Sequence, residues 1–400
     1  MKVPISKPYL DDKEAEAVNK VLKSGWLVQG PKVAELERIF CQYTGAKFAN
    51  ATTSCTTALH LALVALGIGP GDEILVPSFT FIASANAVEY TGAKPVFIDI
   101  DVDTFNIDVQ KVAQYLEHTK KYGKRVRAIM PVHLFGLCAD MDAVMKLAQQ
   151  YKLYVIEDAA CALGSLYKLK HAGTFGDAGC FSFHPRKPIT TGEGGMLITD
   201  NTEIASKVQS LRDHGAAVSD LARHEKDGSL LPAFDILGYN YRMTDIQGAI
   251  GIEQMKKFSW IVGKRIERAR RYDRELKDVE CLQTPFVSKD CKHTYQSYVV
   301  LLRDSKTKGI PSSELEKFHS VRNVIMAKLN EKGIATRQGT SAVHTLGYYR
   351  RKYDLSDDDC PLSLQADCLT IALPLYPQMT DEEQSYVIDN LLQVVKGISL

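Results

Sequence analysis

The chain has 400 residues and nearly balanced charge, which excludes several classes of protein at the outset. Lys and Arg number 49 against 48 Asp and Glu, for a formal net charge of +1, and 45% of the residues are hydrophobic. This composition is ordinary for a globular protein, and the length allows two domains with a large core. Because the basic residues are dispersed, the sequence shows no stripe for DNA or RNA, and no nucleic-acid partner is expected.

The cysteines and the apolar runs indicate compartment and metal content. The nine cysteines occur singly, without a Cys-x-x-Cys pair or a His/Cys cluster at zinc spacing, so neither a disulfide framework nor a metal site is indicated. The N-terminus lacks the apolar core of a signal peptide, and no run reaches membrane-spanning length. These features predict a cytoplasmic protein with no membrane partner, in which the sequon at Asn50 is not used.

Predicted elements from the N-terminus to residue 198 alternate between helix and strand. Amphipathic patterns predict helices over 11–22 and 32–44, with a loop over 24–31 between them. From there, short β-branched or aromatic runs alternate with helical patterns. These segments are residues 47–51, 58–66, 73–76, 82–91, 95–98, 127–131, 141–151 and 154–157. The alternation predicts an α/β fold with a largely parallel central sheet and helices on both faces.

The C-terminal part predicts a second, smaller domain of α+β type. A long helical pattern runs over residues 244–278. After it come a strand at 296–302, a helix at 320–332, a strand at 371–374 and a helix at 381–395. We predict a large domain over residues 1–255, including an N-terminal arm, and a small domain over 256–400. No internal repeat or low-complexity linker separates them, which favours a rigid interface.

Lys187 has surroundings that are unusual for a solvated lysine. It lies between the strand-like run 179–183 and the turn 190–195, which leads into a second strand-like run at 196–199. An amine held between two strands and partly desolvated is expected to have a lowered pKa. A fraction of it would then be neutral and nucleophilic, as a Schiff base with an aldehyde requires. The alternative is an ordinary lysine in a surface turn.

Three other polar or aromatic segments follow predicted strands, where ligands bind in parallel sheets. Asp158 follows the run 153–157, and its carboxylate would need a cationic partner such as a pyridinium nitrogen, unless it only caps a helix. Residues 50–58 place hydroxyls and backbone N–H groups at a helix N-terminus, which suits a phosphate or a simple cap. Phe79 and Phe81 offer a ring to an aromatic ligand or belong to the core.

Together these features resemble the DegT-type (DegT/StrS) family of pyridoxal-phosphate-dependent sugar nucleotide aminotransferases, and the resemblance covers nearly the whole chain. The segments that carry it are Ser24-Gly-Trp-Leu-Val-Gln-Gly30, Ala58-Leu-His-Leu-Ala-Leu63, Gly67-Ile-Gly-Pro-Gly-Asp-Glu73, Pro77-Ser-Phe-Thr-Phe81, Glu157-Asp-Ala-Ala160, Ser182-Phe-His-Pro-Arg-Lys187, Thr190-Thr-Gly-Glu-Gly-Gly195 and Gly238-Tyr-Asn-Tyr-Arg-Met-Thr-Asp245. The resemblance implies fold type I, with a large domain that binds pyridoxal 5′-phosphate on a mostly parallel sheet and a smaller α+β C-terminal domain.

The resemblance also implies a role for individual residues. Lys187 would form the Schiff base with the cofactor, Asp158 would pair with its pyridine nitrogen, and Phe81 would stack on its ring. The residues that hold the phosphate would be Thr56, Thr57 and Ser182. Asn240 would reach the phosphate of the neighbouring subunit, so the protein would be a homodimer with shared active sites.

The reaction that the resemblance implies is a transamination. An amino acid, with glutamate as the expected donor, would give its amino group to a keto sugar, expected to be nucleotide-linked, to make an amino sugar. Arg337 and His344 are candidates for substrate contact, because a guanidinium suits a carboxylate or a diphosphate, and Trp26 is a third candidate. The alternative for these three is a solvated side chain.

Two departures and two alternative functions accompany the resemblance. Cys161 occupies a position where the family often has glutamine or histidine near the cofactor's hydroxyl oxygen, and Cys55 stands where glycine is common. A thiol is a weaker hydrogen-bond partner.

The alternatives are a sugar dehydratase of the same family and a non-catalytic regulator that binds the cofactor. Lys187 opposes the dehydratase type that has histidine there, and the absence of clustered cysteines opposes the iron-sulfur type. A regulator is opposed by the lack of a basic patch or a fused DNA-binding module.

Overall fold

The computed structural model describes residues 1–120, 125–217, 232–303 and 314–397. Its helices are α1 (Asp12–Ser24), α2 (Pro31–Thr44), α3 (Cys55–Ala65), α4 (Ala83–Tyr90), α5 (Val109–Lys120), α6 (Met141–Tyr151), α7 (Thr202–Leu211), α8 (Asp245–Leu276), α9 (Leu315–Glu331), α10 (Gly347–Tyr353), α11 (Pro361–Leu369) and α12 (Asp381–Lys396). Its strands are β1 (Phe48–Thr52), β2 (Glu73–Pro77), β3 (Phe79–Thr80), β4 (Lys94–Ile98), β5 (Val126–Ile129), β6 (Tyr154–Asp158), β7 (Leu166–Tyr167), β8 (Lys170–His171), β9 (Ala178–Ser182), β10 (Gly195–Thr199), β11 (Leu282–Gln283), β12 (Cys291–Lys292), β13 (Tyr298–Leu302), β14 (Ser341–Ala342) and β15 (Thr370–Leu373).

The central sheet has seven strands in the order β1-β10-β9-β6-β5-β2-β4. The five strands from β9 to β4 pair in parallel, whereas β10 is antiparallel to both of its neighbours. The predicted α/β fold with a largely parallel sheet is therefore confirmed. Because β6 and β9 are parallel neighbours, with Asp158 opposite Cys180 in register, both strands end at the same edge of the sheet.

Alternate residues of the strands are buried on opposite faces of this sheet. In β2, Leu75 packs in an apolar cluster with residues of α2, α5, α6 and α8. Its neighbours Ile74 and Val76 pack in a second cluster with residues of α3, α4 and α7. This period of two is the geometry of an extended strand, and it explains why the strands read as continuous apolar runs. Helices cover both faces, as the sequence predicted.

The N-terminal helices are fastened to α8. The carboxylate of Asp245, the first residue of α8, accepts hydrogen bonds from the backbone N–H groups of Gly30, Lys32 and Val33 at 2.8 to 3.0 Å and so caps α2. Glu14 of α1 is buried and pairs with Lys257 of α8 at 2.7 Å. A carboxylate at a helix N-terminus satisfies N–H groups that lack a partner within the helix. These contacts hold helices α1 and α2 in a fixed position against α8.

The C-terminal part has a sheet of its own, and its core also includes residues of the N-terminal part, among them Phe79, Ile100 and Phe135. Strands β11, β13 and β15 form a three-stranded antiparallel sheet, and one apolar cluster joins it to α9, α11, α12 and the last turns of α8. The predicted boundary between residues 255 and 256 falls inside the continuous helix α8, and the division at that point stays a prediction. Within the described ranges, no helix is long and apolar enough to cross a membrane.

Candidate active site

A cavity of about 590 Å³ lies at the carboxyl edge of the central sheet. Asp158, the last residue of β6, and Ser182, the last residue of β9, both line it. The sequence-predicted site residues around the cavity are Thr56, Phe81, Asp158, Ser182, Lys187 and Arg337. The fold thus brings together side chains that are up to 281 positions apart in the chain, from Thr56 to Arg337. The cavity is where parallel sheets bind their ligands.

Lys187 is half-buried in the loop between β9 and β10, and its Nζ lies 3.1 Å from Sγ of Cys161. The sequence predicted a lowered pKa for this amine, and that prediction is wrong. Burial lowers the pKa of Lys187, but the charges of Cys161, Cys55 and Asp158 and the hydrogen bond to Cys161 outweigh it, so the pKa is raised. The amine is therefore protonated at neutral pH, and it must lose a proton before it acts as a nucleophile.

Asp158 is a buried carboxylate with few protein partners. Its Oδ2 accepts a hydrogen bond from the Ser84 hydroxyl at 2.7 Å, and its Oδ1 accepts one from the Ala160 N–H at 3.1 Å. The thiol of Cys55 lies 4.0 Å from Oδ1. Within the described ranges, no basic side chain forms an ion pair with Asp158. A buried carboxylate without a cation is costly, and a protonated ring nitrogen would supply the missing charge.

The N-terminus of α3 offers hydroxyls and backbone N–H groups to the cavity. Ser54 caps the helix by accepting a hydrogen bond from the Thr57 N–H at 3.2 Å, while the Thr57 hydroxyl accepts one from the Ser54 N–H at 3.0 Å. Thr57 thus closes the cap and does not line the cavity, whereas Thr56 does. Gly195 lets β10 approach closely, because a Cβ there would lie 2.3 Å from the backbone of Ser54. Ser182, opposite Gly195 in register, is thereby brought towards the helix N-terminus.

This set of groups fits pyridoxal 5′-phosphate. A phosphate suits the N-terminus of α3, where the helix dipole favours an anion. A protonated pyridine nitrogen suits the carboxylate of Asp158, and an aldehyde suits the amine of Lys187. The ring of Phe81 is 69% exposed although it lines the cavity, so it has a face available for an aromatic ligand.

Besides Thr57, three of the predicted residues do not line the cavity. His344 is fully buried, and its Nδ1 lies 2.6 Å from the Ser78 hydroxyl, because pairing of β14 with β3 carries the turn Val343–Thr345 into the core. The predicted contact of His344 with a substrate in this cavity is therefore not made. Trp26 lies after α1 with its indole N–H 3.4 Å from the carbonyl of Gln29. Asn240 is exposed on the surface.

Arg186 is a cavity residue that the sequence analysis missed. It lines the cavity together with Arg337. Burial and the nearby charge of Arg337 lower the pKa of the Arg186 guanidinium, which indicates that the two cations lie near each other. Neither forms an ion pair with an acidic side chain of the described ranges. Two unpaired guanidinium groups make an edge suited to a carboxylate or a phosphate. The available sequence signal was the position of Arg186 directly before Lys187.

Comparisons with known proteins agree with this geometry. Over 395 residues the chain is 39% identical to the spore coat polysaccharide biosynthesis protein SpsC of Bacillus subtilis (strain 168), covering 99% of this chain and 97% of that one. Helicobacter pylori PseC, an aminotransferase involved in the biosynthesis of pseudoaminic acid, has 28% identity and a TM-score of 0.87 over 100% of both chains. The putative sugar aminotransferase Spr1654 from Streptococcus pneumoniae, in its PMP form, has 27% identity and a TM-score of 0.89 over 99% of each chain.

These similarities confirm the main sequence predictions. The protein has fold type I, its cofactor is pyridoxal 5′-phosphate, and it is a pyridoxal-phosphate-dependent sugar aminotransferase, not a non-catalytic regulator. The model of the DegT/DnrJ/EryC1/StrS aminotransferase family matches residues 8–392. Since the match spans nearly the whole sequence, the chain belongs to the DegT/DnrJ/EryC1/StrS aminotransferase family.

Proposed function

We propose that this aminotransferase takes an amino group from glutamate and transfers it to a keto sugar carried by a nucleotide, which leaves as an amino sugar. The observation that carries the proposal is one cavity lined by a lysine amine, a carboxylate and two guanidinium groups, and among the described residues neither the carboxylate nor the guanidinium groups have an ion-pair partner. When bound, the cofactor supplies an electron sink for charge that develops on the substrate carbon. The protein must then hold the substrates, exclude competing orientations and move protons.

Lys187 and Asp158 are the proposed catalytic residues. Lys187 would carry protons at the reacting carbon, because its Nζ lies in the cavity next to Cys161. Asp158 would keep the ring nitrogen protonated, since its carboxylate is buried and accepts two hydrogen bonds within 3.5 Å from the residues that the structure describes. Thr56 and Ser182 would hold the phosphate, and Phe81 would stack on the ring.

The arginines support anionic substrates. Glutamate carries two carboxylates and a nucleotide-linked sugar carries a diphosphate, and a guanidinium binds either group through paired N–H donors. Arg337 and Arg186 would therefore contact both substrates in turn, since both substrates must reach Lys187 through the same cavity. That the enzyme acts in the cytoplasm stays a prediction, which rests on its singly spaced cysteines.

The surface around Asn240 supports a homodimer with shared active sites. Asn240 is exposed and lies outside the cavity of its own chain. Shortly before it, Phe234, Ile236 and Leu237 are 53%, 44% and 86% exposed. Exposed apolar side chains close together in sequence are typical of an interface between subunits. We propose that this segment packs on the partner subunit and that Asn240 reaches the partner's phosphate site.

Replacing the amine tests the assignment directly. Lys187→Ala should lower turnover roughly ten-thousandfold, because the proton carrier and the nucleophile are both lost. Turnover would be measured with glutamate and a panel of nucleotide-linked keto sugars, and cofactor binding by absorbance. Lys207→Ala, which removes an exposed lysine paired with Glu203, is the matched control and should keep full activity. Near-normal turnover in Lys187→Ala would refute the role of this residue.

Mixing two inactive variants tests the shared site. Lys187→Ala and Asn240→Ala should each be inactive as homodimers. In a mixed dimer, one of the two sites combines an intact Lys187 with an intact Asn240 from the other chain. Activity should therefore return after the two proteins are unfolded together and refolded. A mixture that stays inactive although mass measurement shows mixed dimers would contradict the shared site, as would full activity of Asn240→Ala alone.

A further inference from the structure

We propose that Cys161 and Lys187 form a site of oxidative covalent modification, at which hydrogen peroxide joins the cysteine sulfur to the lysine nitrogen through an S–N bond. Sγ of Cys161 and Nζ of Lys187 are 3.1 Å apart. Both residues line the cavity, so a small oxidant that enters the substrate space reaches the sulfur. The pair lies in the cavity of the proposed active site. The S–N bond does not require the proposed function, but the expected effect of the cofactor on its formation rests on the proposed bond between Lys187 and the cofactor.

Cys161 differs from the other cysteines, all of which lie in the described ranges. Cys41, Cys161, Cys291 and Cys368 are half-buried, and the remaining cysteines are buried. Burial raises the pKa of Cys41, Cys291 and Cys368, the last to about 11, which keeps these groups as thiols at neutral pH. The sulfur of Cys161 instead contacts a lysine ammonium. Cys161 is thus a half-buried cysteine of the cavity whose sulfur lies against an amine, and peroxide oxidises an accessible cysteine sulfur to a sulfenic acid.

The modification has two steps, and both balance. First, the Cys161 sulfur attacks one oxygen of hydrogen peroxide, the O–O bond breaks, and the leaving hydroxide takes a proton to become water. The sulfur loses two electrons and becomes a sulfenic acid, and the peroxide is reduced. Second, the neutral amine of Lys187 attacks this sulfur and the S–O bond breaks. The hydroxyl leaves as water with a proton from the nitrogen. The protein therefore loses two hydrogen atoms overall.

Oxidation itself prepares Lys187 for the second step. The charge of Cys161 is among the causes that raise the pKa of Lys187, whereas burial lowers it. A sulfenic acid is uncharged at neutral pH, so the first step removes a cause of the raised pKa and leaves the effect of burial. The ammonium then gives up its proton more readily. Cys161 therefore favours the protonated amine of Lys187 before oxidation, and its sulfur is attacked by that amine after oxidation.

Cys55 is the competing partner for oxidised Cys161. It lines the same cavity, and a sulfenic acid also condenses with a thiol to form a disulfide. Burial, and after it the charge of Asp158, raises the pKa of Cys55 well above its ordinary value. Its sulfur therefore stays protonated and is a poor nucleophile. The contact between Cys161 and Lys187 at 3.1 Å favours the link to nitrogen.

Peptide mass spectrometry of the oxidised holoenzyme tests the inference. The protein is loaded with pyridoxamine 5′-phosphate, which leaves the amine of Lys187 free, and is treated with a small excess of hydrogen peroxide. We expect a linked pair of peptides that contain Cys161 and Lys187, lighter by two hydrogen atoms, and its loss after dithiothreitol. Cys161→Ser should give no link, and Cys291→Ser, which removes another half-buried thiol, should give the same link as the unaltered protein. A disulfide with Cys55, a sulfinic acid without a link, or an unmodified Cys161 would each overturn the inference.

A second form of the holoenzyme separates this inference from the role of Lys187. Protein loaded with pyridoxal 5′-phosphate should lose most of the linked peptide, because its Lys187 is already bonded to the cofactor. Equal linking in both forms would support the Cys161 and Lys187 pair and contradict the proposed cofactor bond of Lys187. Linking in neither form would overturn the inference and leave that bond unaffected.

Discussion

Glu157 and Asp158 are consecutive carboxylates at the end of β6, and both are buried, yet their surroundings are opposite. The carboxylate of Glu157 accepts hydrogen bonds from Nε2 of His133 at 2.8 Å and from three backbone N–H groups of the loop 173–176 at 2.6 to 2.7 Å. Because Nδ1 of His133 accepts the Ala139 N–H, the ring proton is on Nε2 and points at Glu157. Asp158 has one hydroxyl and one N–H within 3.5 Å and faces the cavity.

The difference teaches that burial alone does not identify a functional carboxylate. Successive residues of a strand point to opposite sides, so Glu157 and Asp158 meet different parts of the molecule. The protein satisfies the charge of Glu157 with four donors and thereby fixes the loop 173–176. It leaves the charge of Asp158 incompletely satisfied. The number of donors around a buried acid therefore separates a structural role from one that awaits a cationic ligand.

The largest effect is expected for Asp158→Asn. Turnover should fall roughly ten-thousandfold, or ~5 kcal/mol in the barrier, because an amide does not hold the ring nitrogen protonated. The fold should not suffer, since the amide oxygen still accepts the Ala160 N–H and the amide nitrogen donates to Ser84. Steady-state rates and urea unfolding would measure the two effects. A variant that keeps near-normal turnover would remove the catalytic role of Asp158.

Glu157→Gln is the matched substitution at the neighbouring acid, with the reverse pattern. The NH2 group of the glutamine side chain must now face N–H donors whose hydrogen bonds the carboxylate accepted. The loss of these hydrogen bonds should lower the free energy of unfolding by about 4 kcal/mol. Folded enzyme should keep most of its turnover, because Glu157 does not line the cavity. The free energy of unfolding in urea would be measured for the variant and the unaltered protein in the same cofactor state, and turnover would be measured per folded molecule. If this variant lost turnover and kept stability, the comparison would fail.

The sequence predicted the parts of this site that depend on local pattern. Strand runs with turn residues after them correctly placed Asp158 and Ser182 at strand ends, and the parallel sheet followed from the alternation of elements. Helices α5, α7, α10 and α11 were not assigned, and α9 begins at Leu315 although the pattern predicted a start at 320. Strongly periodic segments therefore predict that an element exists more securely than they predict where it begins and ends.

What the sequence missed depends on residues that are distant in the chain. The pKa of Lys187 is raised because Cys161 lies beside it, and no local pattern shows that these residues meet. His344 was predicted as a candidate for substrate contact, but its ring is buried against Ser78, which is 266 positions away in the chain. Arg186 was read as part of a motif and not as a cation near Arg337. Charge and burial at a site are tertiary properties, so sequence spacing does not give them.

The buried surroundings of Glu157 also predict that the protein loses stability in acid. His171, near Glu157, is buried, accepts the Gly164 N–H at Nε2, and has a pKa lowered to about 4 by burial. Its stabilising effect is complete above pH 6.5 and is lost as the pH falls towards 4, because the unfolded chain binds the proton first. The loss should approach ~3 kcal/mol.

Urea unfolding between pH 7 and pH 4 would test this prediction with His171→Gln. The glutamine keeps an acceptor for Gly164 but does not titrate, so the slope of stability against pH should be shallower than in the unaltered protein. His293, whose pKa burial lowers to about 3, contributes to the slope of both proteins. Identical slopes would show that His171 binds its proton equally well in the folded and unfolded chains, which would contradict the prediction.

The smallest effect is expected for Ser84→Ala, which removes one of the two hydrogen-bond donors within 3.5 Å of Asp158. The variant should lose about fivefold in turnover, or ~1 kcal/mol, because the carboxylate keeps its charge and loses a single neutral hydrogen bond. Thr80→Val is the control, since the Thr80 hydroxyl contacts Ser84 at 2.9 Å and is not bonded to Asp158. Its effect on turnover should be smaller. If Ser84→Ala lost as much turnover as Asp158→Asn, protonation of the ring nitrogen would depend on the hydrogen bond from Ser84 and not on the charge of Asp158. A small number of hydrogen-bond donors around a buried carboxylate would then no longer distinguish Asp158 from Glu157 as the functional residue.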